Sequence, residues 1–257
     1  MKLVTFNING IRARMPRLLE YLTREQPEVV CLQELKCADE SLPIAEIEAA
    51  GYRGVWHGQK GFNGVAILGR GNLPLLRQIG LPDDPDDSHS RYIEADIYGL
   101  IVASIYLPNG NPIGTDKFTY KLRWMERLRA RAVQLLAEER PVVLAGDFNV
   151  IPEDRDTFSK RAMANDALFQ PETQAAYRAL AYQGWTDALR AVHPTEPRLF
   201  TFWDYQAGAL ARDAGFRIDH LLLSPQAADR LRGAGIDKWV RAEEKASDHA
   251  PTWVDFT

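Results

Sequence analysis

The chain is poor in the residues that mark several enzyme classes. It has two cysteines in 257 residues, Cys31 and Cys37. Cys31 lies in the apolar run "EVVCLQ", which suits a buried reduced thiol better than a disulfide or a metal site. That pattern fits a reducing cytosol. There is no Cys cluster and no H-E-x-x-H, no nucleophile elbow and no Gly-rich phosphate cradle. Zinc chemistry and serine or cysteine hydrolysis therefore lack support. The N-terminal "MKLVTFNING" has no signal-peptide apolar region, and no run reaches membrane-spanning length. These absences predict a soluble, cytoplasmic protein with no membrane contact. Excess charge is missing too. Thirty-one Lys and Arg against 35 Asp and Glu leave a net charge of −4. Nucleic-acid binding is not announced by that balance. It is not excluded either, because a local basic face can act inside an acidic average.

What is present is apolar content, 46% of 257 residues, enough for one sizeable core. Short β-branched runs recur: "KLVTFNI", "EVVCLQ", "GVAILG", "YIEADIY", "LIVASIYL", "PVVLAG", "RIDHLLLS" and "PTWVDF". Several are bounded by Gly, Pro or Asn, as strands usually are. Helical patterns lie between them. One covers 117–139, with Phe118, Leu122, Met125, Leu128, Leu135 and Leu136 near helical spacing and a basic opposite face. A second covers 40–50, with Pro43 near its start and Gly51 beyond its end. A third, "PETQAAYRALAYQG", opens on Pro171 and closes on Gly184. Strands alternate with helices without a linker or repeat. The pattern predicts one α/β domain over 1–257, with helices covering sheets. "LPDDPDDSHS", 81–90, reads as a solvated acidic loop.

Five strand ends or chain segments carry polar residues that an apolar strand does not need. "TFNING" ends in Asn7 and Asn9, "VVCLQE" in Gln33 and Glu34, and "VVLAGDFN" in Asp147 and Asn149. "FRIDHLLL" contains Asp219, and "SDHAP" brings Asp248 and His249. A buried carboxylate must be paired, hydrogen-bonded or metal-bound, because isolation costs several kcal/mol. Singly, each has a plainer reading: Asn7 or Asn9 as a turn residue, Asp219 as a satisfied core carboxylate, Tyr106 as a strand-end aromatic. Together they call for a shared cause, and α/β sites collect at strand ends. Carboxylates and amides are hard oxygen ligands that suit Mg²⁺ or Mn²⁺. With a His and Asn donors, they suit attack by water on a phosphate ester. His249 can bond a phosphoryl oxygen if a carboxylate orients it. Asp147 and Asn149 occupy alternate positions, so a strand would put both on one face and turn Phe148 to the core. His57, His89, His193 and His220 are read as surface or packing residues.

The ordered set "FNING", "LQE", "YLPNG", "GDFN", "FRIDH" and "SDHAP" resembles the endonuclease/exonuclease/phosphatase superfamily. Within it, the chain is similar to the exonuclease III branch of apurinic/apyrimidinic endonucleases, from Asn7 to Pro251. The resemblance implies a four-layer α/β sandwich, two face-to-face β-sheets flanked by helices. It implies Mg²⁺, with Mn²⁺ as a substitute. By the same resemblance Glu34 is the principal metal ligand, with Asn9, Asp248, Asp147 and Asn149 near the metal. The family often has an aspartate where this chain has Asn9. Asp147 would position or deprotonate the attacking water, and Asn7 would support it. Asn149, Tyr106 and Asn109 would donate to the phosphate. His249 would contact the phosphate, oriented by Asp219.

The resemblance leaves the phosphoester open, because the superfamily also holds inositol-phosphate phosphatases, sphingomyelinases and nonspecific nucleases. Three features favour DNA repair on double-stranded DNA with abasic sites or 3′ ends, and a monomer is expected. "ARMPR" places Arg12, Arg14 and Arg17 just after "NING". The 117–131 helix carries Lys117, Lys121, Arg123, Arg127, Arg129 and Arg131 against Glu126 alone, a stripe suited to a phosphate backbone. "TFWDY" and "GFRID" place Phe202, Trp203, Phe216 and Ile218 near Asp219, where that branch walls the pocket for an extruded sugar. Core packing is the commoner use of such aromatics. Two alternatives remain: a catalytically silent nucleic-acid-binding regulator of the same fold, and a phosphatase for another phosphoester.

Overall fold

The computed structural model describes residues 1–257. Twelve strands form two six-stranded mixed sheets. In spatial order, the first holds β11 (Leu231–Ile236), β12 (Thr252–Phe256), β1 (Lys2–Asn7), β2 (Val29–Gln33), β4 (Val65–Arg70) and β3 (Tyr52–His57). The second holds β5 (Leu75–Ile79), β6 (Tyr92–Ile97), β7 (Leu100–Tyr106), β8 (Val142–Asp147), β10 (Asp219–Leu223) and β9 (Thr186–Asp187). Each sheet has one parallel pair, β1 with β2 and β7 with β8. The longer helices are α1 (Ile11–Glu25), α3 (Asp116–Leu136) and α4 (Pro171–Ala181), with the shorter α2 at Ile44–Ala49.

Alternation along the strands explains the layers. In β8, Val143 and Ala145 face the other sheet, while Val142 and Leu144 face the helices. Both faces are apolar because both are covered. Between the sheets, Leu3, Val29 and Ile67 meet Ile93, Val102 and Leu221. Outside the first sheet, Val4, Phe6, Val30 and Leu32 pack under Leu18, Tyr21 and Leu22 of α1. Outside the second, Ile101, Ala103 and Leu144 pack under Trp124 and Leu128 of α3 and Tyr177 of α4. Each such large side chain contributes roughly 1.5–3 kcal/mol by burial. The result is helix, sheet, sheet, helix, the four-layer sandwich expected from the resemblance.

All eight apolar runs become strands. The helix expected over 40–50 is interrupted: a single 3₁₀ turn covers Asp39–Ser41, Leu42 is extended, and α2 starts after Pro43. A residue before proline is pushed out of the helical region. The helix expected over 117–139 spans Asp116–Leu136, and the one opening at Pro171 ends at Ala181. The acidic loop is not freely solvated. Asp87 accepts hydrogen bonds from Arg127 at 2.7 Å and Tyr120 at 2.8 Å, which pins the loop to α3. No helix is long and apolar enough to cross a membrane.

Behind β10 lies a buried charge network. Arg217 donates to Asp156 at 2.8 and 3.0 Å, to Asp187 at 2.6 Å, and to His220 Nδ1 at 3.1 Å. His220 Nε2 then donates to Val150 O at 2.9 Å, so the ring is the neutral tautomer with hydrogen on Nε2. Burial, and then the Arg217 charge, pull His220 down to about 4 from 6.5. The unfolded chain therefore takes up a proton first on acidification. His220 leaves neutral-pH stability intact and erodes it as pH falls from about 6.5 toward about 4. Urea unfolding of His220→Gln should lose about 2 kcal/mol less than the parent between pH 7 and 4.5. Equal acid losses in the two proteins would refute a neutral buried His220.

Candidate active site

The two parallel pairs end at the same rim. Asn7 closes β1 opposite Gln33 of β2, and Tyr106 closes β7 opposite Asp147 of β8. Asp219, the first residue of β10, also pairs with Asp147. Beneath the rim, buried Gln33 ties the sheets together: it accepts from Thr5 at 3.2 Å and donates to Ser104 at 3.0 Å. Gly146 is required by the close approach of β7, since a Cβ there would fall 2.0 Å from Ile105 O. At the rim the Asn7 amide donates to Glu34 Oε1 and to Asp147 Oδ2, each at 2.9 Å. Both of its hydrogens are spent, and its Oδ1 accepts from Asn9 N at 3.0 Å. Asn7 is thus a bracket between two carboxylates.

His249 completes the centre. Its Nδ1 donates to Asp219 Oδ2 at 2.8 Å, and its Nε2 lies 3.7 Å from Asp147 Oδ2. Burial disfavours the imidazolium, but the Asp219 carboxylate, helped by Asp147 and Asp248, outweighs it and raises His249 to about 10. Burial, against the His249 charge and with Asp219 and Glu34 beside it, pushes Asp147 well above the carboxylate range. Glu34 goes the other way: burial would raise it, but hydrogen bonds from Lys36 and Asn7 hold it low. Asp219 Oδ1 is buried without a partner.

Glu34, Asp147 and His249 each offer one ligand atom, all within 4.8 Å of one another. Two carboxylates on hard oxygen fit a divalent cation such as Mg²⁺ or Mn²⁺. Glu34 Oε2 and Asn9 Oδ1 already converge on a positive charge, the Lys36 ammonium, at 2.7 and 2.6 Å. Asp248 Oδ1 sits beside this pair and accepts from Asn9 Nδ2 at 2.9 Å. Asn149, grouped with the ligands by resemblance, is placed otherwise. Its Oδ1 accepts from Asn109 Nδ2 at 3.2 Å, and its Nδ2 donates to Leu107 O at 2.8 Å. Each of these two amides keeps one N–H for a ligand. Burial, then the Glu34 and Asp147 charges, hold the Tyr106 hydroxyl protonated far above the usual range.

The shared face of Asp147 and Asn149 has a different origin from strand alternation. β8 stops at Asp147, and Asn149 is left-handed, with φ 49°. The Asn149 N–H donates to Asp147 Oδ1 at 2.9 Å. Phe148 still turns into the core, against Tyr177 and His220. Asn9, Glu34 and Lys36 are also left-handed, with φ of 49°, 53° and 51°.

A cleft of about 320 Å³ opens beside the centre, lined by Tyr106, Asn109 and Asn149. Phe202, Phe216, Ile218 and Leu168 give it an apolar wall, and Asp166 and Asp204 also line it. Phe202 stacks on Phe216 at 4.7 Å and meets the His249 ring edge-on at 5.0 Å. Ile218 reaches the wall because β10 begins one residue later, so strand alternation does not turn it away. Trp203 is not on the wall. It is fully buried with Phe200, Ala209 and Ala214, and its indole donates to Asp213 at 3.1 Å. Arg12 points outward from α1 and does not line the cleft. Arg14 is the arginine near the centre, donating to Asn9 O and, at 3.2 Å, to Tyr205. Arg17 is tied to Glu20 and Glu243. The basic stripe on α3 is mostly engaged. Lys121 points inward, Arg127 and Arg131 bind Asp87 and Glu94, and Arg129 binds Glu126. Sequence reasoning missed Lys36, Leu168 and Tyr205. Lys36 had a signal, two residues beyond Glu34 in "LQELK". Leu168 had none.

The model of the endonuclease/exonuclease/phosphatase family matches residues 4–249. An exodeoxyribonuclease III of Haemophilus influenzae is 36% identical over 100% of both chains. Among solved structures, an AP endonuclease from Archaeoglobus fulgidus superposes with a TM-score of 0.95 at 36% identity, over 100% of this chain and 99% of that one. A Neisseria 3′ phosphatase, NExo, bound to a product DNA hairpin, gives 0.95 at 35% identity over the same shares. With the family's fold, its ordered motifs and these relatives spanning its full length, the chain belongs to the endonuclease/exonuclease/phosphatase family.

Proposed function

We propose that the protein is a metal-dependent DNA repair nuclease that hydrolyses phosphodiesters at abasic sites and 3′ ends. It would act as a cytoplasmic monomer formed by one domain, 1–257, on double-stranded DNA. The observation that carries this reading is the line Asp219–His249–Asp147–Asn7–Glu34, facing two half-free amides and an apolar wall across one cleft. Asp147 takes the proton of the attacking water, and its raised pKa makes it a better base than an ordinary aspartate. His249, held by Asp219, presents Nε2 to the phosphate. Asn109, Asn149 and the protonated Tyr106 donate to its non-bridging oxygens. Glu34, with Asp147 and the Asn9 and Asp248 oxygens beside it, would hold Mg²⁺, with Mn²⁺ as a substitute. Bound there, the cation would offset phosphate charge as it builds in the transition state. Competent residues at all these positions disfavour the silent-regulator reading.

Phe202, Phe216, Ile218 and Leu168 offer no hydrogen bonds to a base. An abasic nucleotide also costs less to extrude, since it has no stack or pair to break. That wall favours abasic DNA over other phosphoesters.

Incision of an abasic duplex should stop with chelator and return with Mg²⁺. Glu34→Gln should raise the Mg²⁺ needed for half-maximal rate by an order of magnitude or more, as a neutral amide replaces a charged ligand. An unchanged Mg²⁺ titration would remove Glu34 from the metal site. Asp219→Asn and His249→Asn should each slow turnover by about 100-fold or more, and the double variant should be little worse than the worse single. Fully additive losses would mean that the two do not act through one contact. Phe216→Ala should lower the ratio of incision rates on matched abasic and intact duplexes while leaving the Mg²⁺ titration unchanged. A constant ratio in a folded variant would make Phe216 a packing residue.

A further inference from the structure

Lys121 is fully buried on the inward face of α3, although its sequence context suggested a DNA-facing stripe. Its ammonium donates to Asn149 O at 2.6 Å, Pro108 O at 3.1 Å and Asn109 O at 3.2 Å. Three N–H groups meet three carbonyls, which is the full donor capacity of a lysine. The acceptors come from two loops, one following β7 and one following β8. These loops carry Asn109 and Asn149, whose side chains are bonded to each other. The fit around the stem is close. A Cβ on Gly110, at φ +88°, would fall 2.6 Å from Lys121 Cδ.

Burying an ammonium is costly, and an apolar side chain would fill this position on the helix's core face without that cost. Burial lowers Lys121 to about 7, while the Asp147 and Asp166 charges pull it back up. What an apolar residue could not do is hold two loops at once by their carbonyls. We propose that Lys121 is a positioning residue: it clamps the loops of Asn109 and Asn149 from behind, so that their remaining amide hydrogens converge on one phosphoryl group. The proposal rests on the nuclease reading above. Displacement of such donors by about 1 Å costs on the order of 100-fold in rate.

The test is single-turnover incision of an abasic duplex at saturating Mg²⁺, with thermal unfolding run in parallel. Lys121→Met keeps the stem length and removes the donors. It should reduce the chemical rate about 10- to 100-fold and change the apparent affinity for DNA less than about 3-fold. In the Asn109→Ala/Asn149→Ala background, where the clamped loops carry no amide, the same substitution should cost less than about 3-fold. An equal loss in both backgrounds, or no loss in the first, would overturn the proposal. Lys121→Gln, which retains a donor pair, should recover part of the lost rate. If neither Lys121 variant folds, the lysine is a folding residue and the positioning role is refuted. A parent protein inactive on the abasic duplex would instead refute the nuclease reading, so the two failures are separable.

Discussion

Three carboxylates, Glu34, Asp147 and Asp219, are gathered at one buried rim, and the arrangement around them is set by the need to keep that charge in place. At about 4 Å, two like charges repel by roughly 4 kcal/mol in a partly buried setting, before desolvation is counted. The protein answers with three different partners. Asn7 divides its amide between Glu34 and Asp147. Lys36 neutralises Glu34. His249 becomes cationic against Asp219, with its other nitrogen toward Asp147. These partners come from β1, from the segment after β2, and from the segment before β12. All three belong to the first sheet and its adjoining segments, whereas Asp147 and Asp219 stand on β8 and β10 of the second, so the cluster forms only when both sheets are docked. Gln33 and Ser104, bonded across the inter-sheet core just below, fix the distance between them.

The turns at the rim repeat one solution. Asn9 N–H donates to Asn7, Asn149 N–H to Asp147, Asn111 N–H to Asn109, and His249 N–H to Ser247, always two residues back. A short polar side chain that caps its own turn stops the strand and satisfies a backbone donor together. At Asn9 and Asn149 the turn also needs a left-handed residue, and Asn tolerates that conformation better than most. Glu34 and Lys36 are left-handed without that advantage, at a cost of order 1–3 kcal/mol each. Packing in three layers of core is what sustains such strain. The donors at the rim are consequently fixed before substrate arrives, which is where electrostatic stabilisation of a transition state gains most.

The legible strands and the missed ones divide by position in the sheets. The eight apolar runs are the interior strands, covered on both faces. The four that left no such run, β3, β5, β9 and β11, are the four sheet edges. An edge strand is partly solvated, as Leu75, Leu76 and Ile79 of β5 show, and its sequence carries a weaker apolar pattern. The candidate cluster at the rim was legible because rare polar residues at apolar strand ends stand out, while the role proposed for each came only with the family resemblance. Leu168 and Trp203 did not separate, because an apolar residue reads the same on a cleft wall and in a core.

Lys121 shows where composition misleads and spacing would have served. Counted with its neighbours, it belongs to a basic helix face. By position it belongs to the series 121, 124, 125, 128, 132, 135, which is the buried stripe of α3. A lysine on an apolar stripe must either leave it or find acceptors, and here it finds three carbonyls. The charge then sits behind the Asn109 and Asn149 amides rather than in front of them. One helix thereby supports the site from the core side, while the charge left unpaired on its outer face is that of Lys117, since Arg123 reaches Asp84 at 3.5 Å. The proposed contact with a phosphate backbone would then fall mainly to the rim of the cleft itself, where the Asn109 and Asn149 amides each keep one free hydrogen.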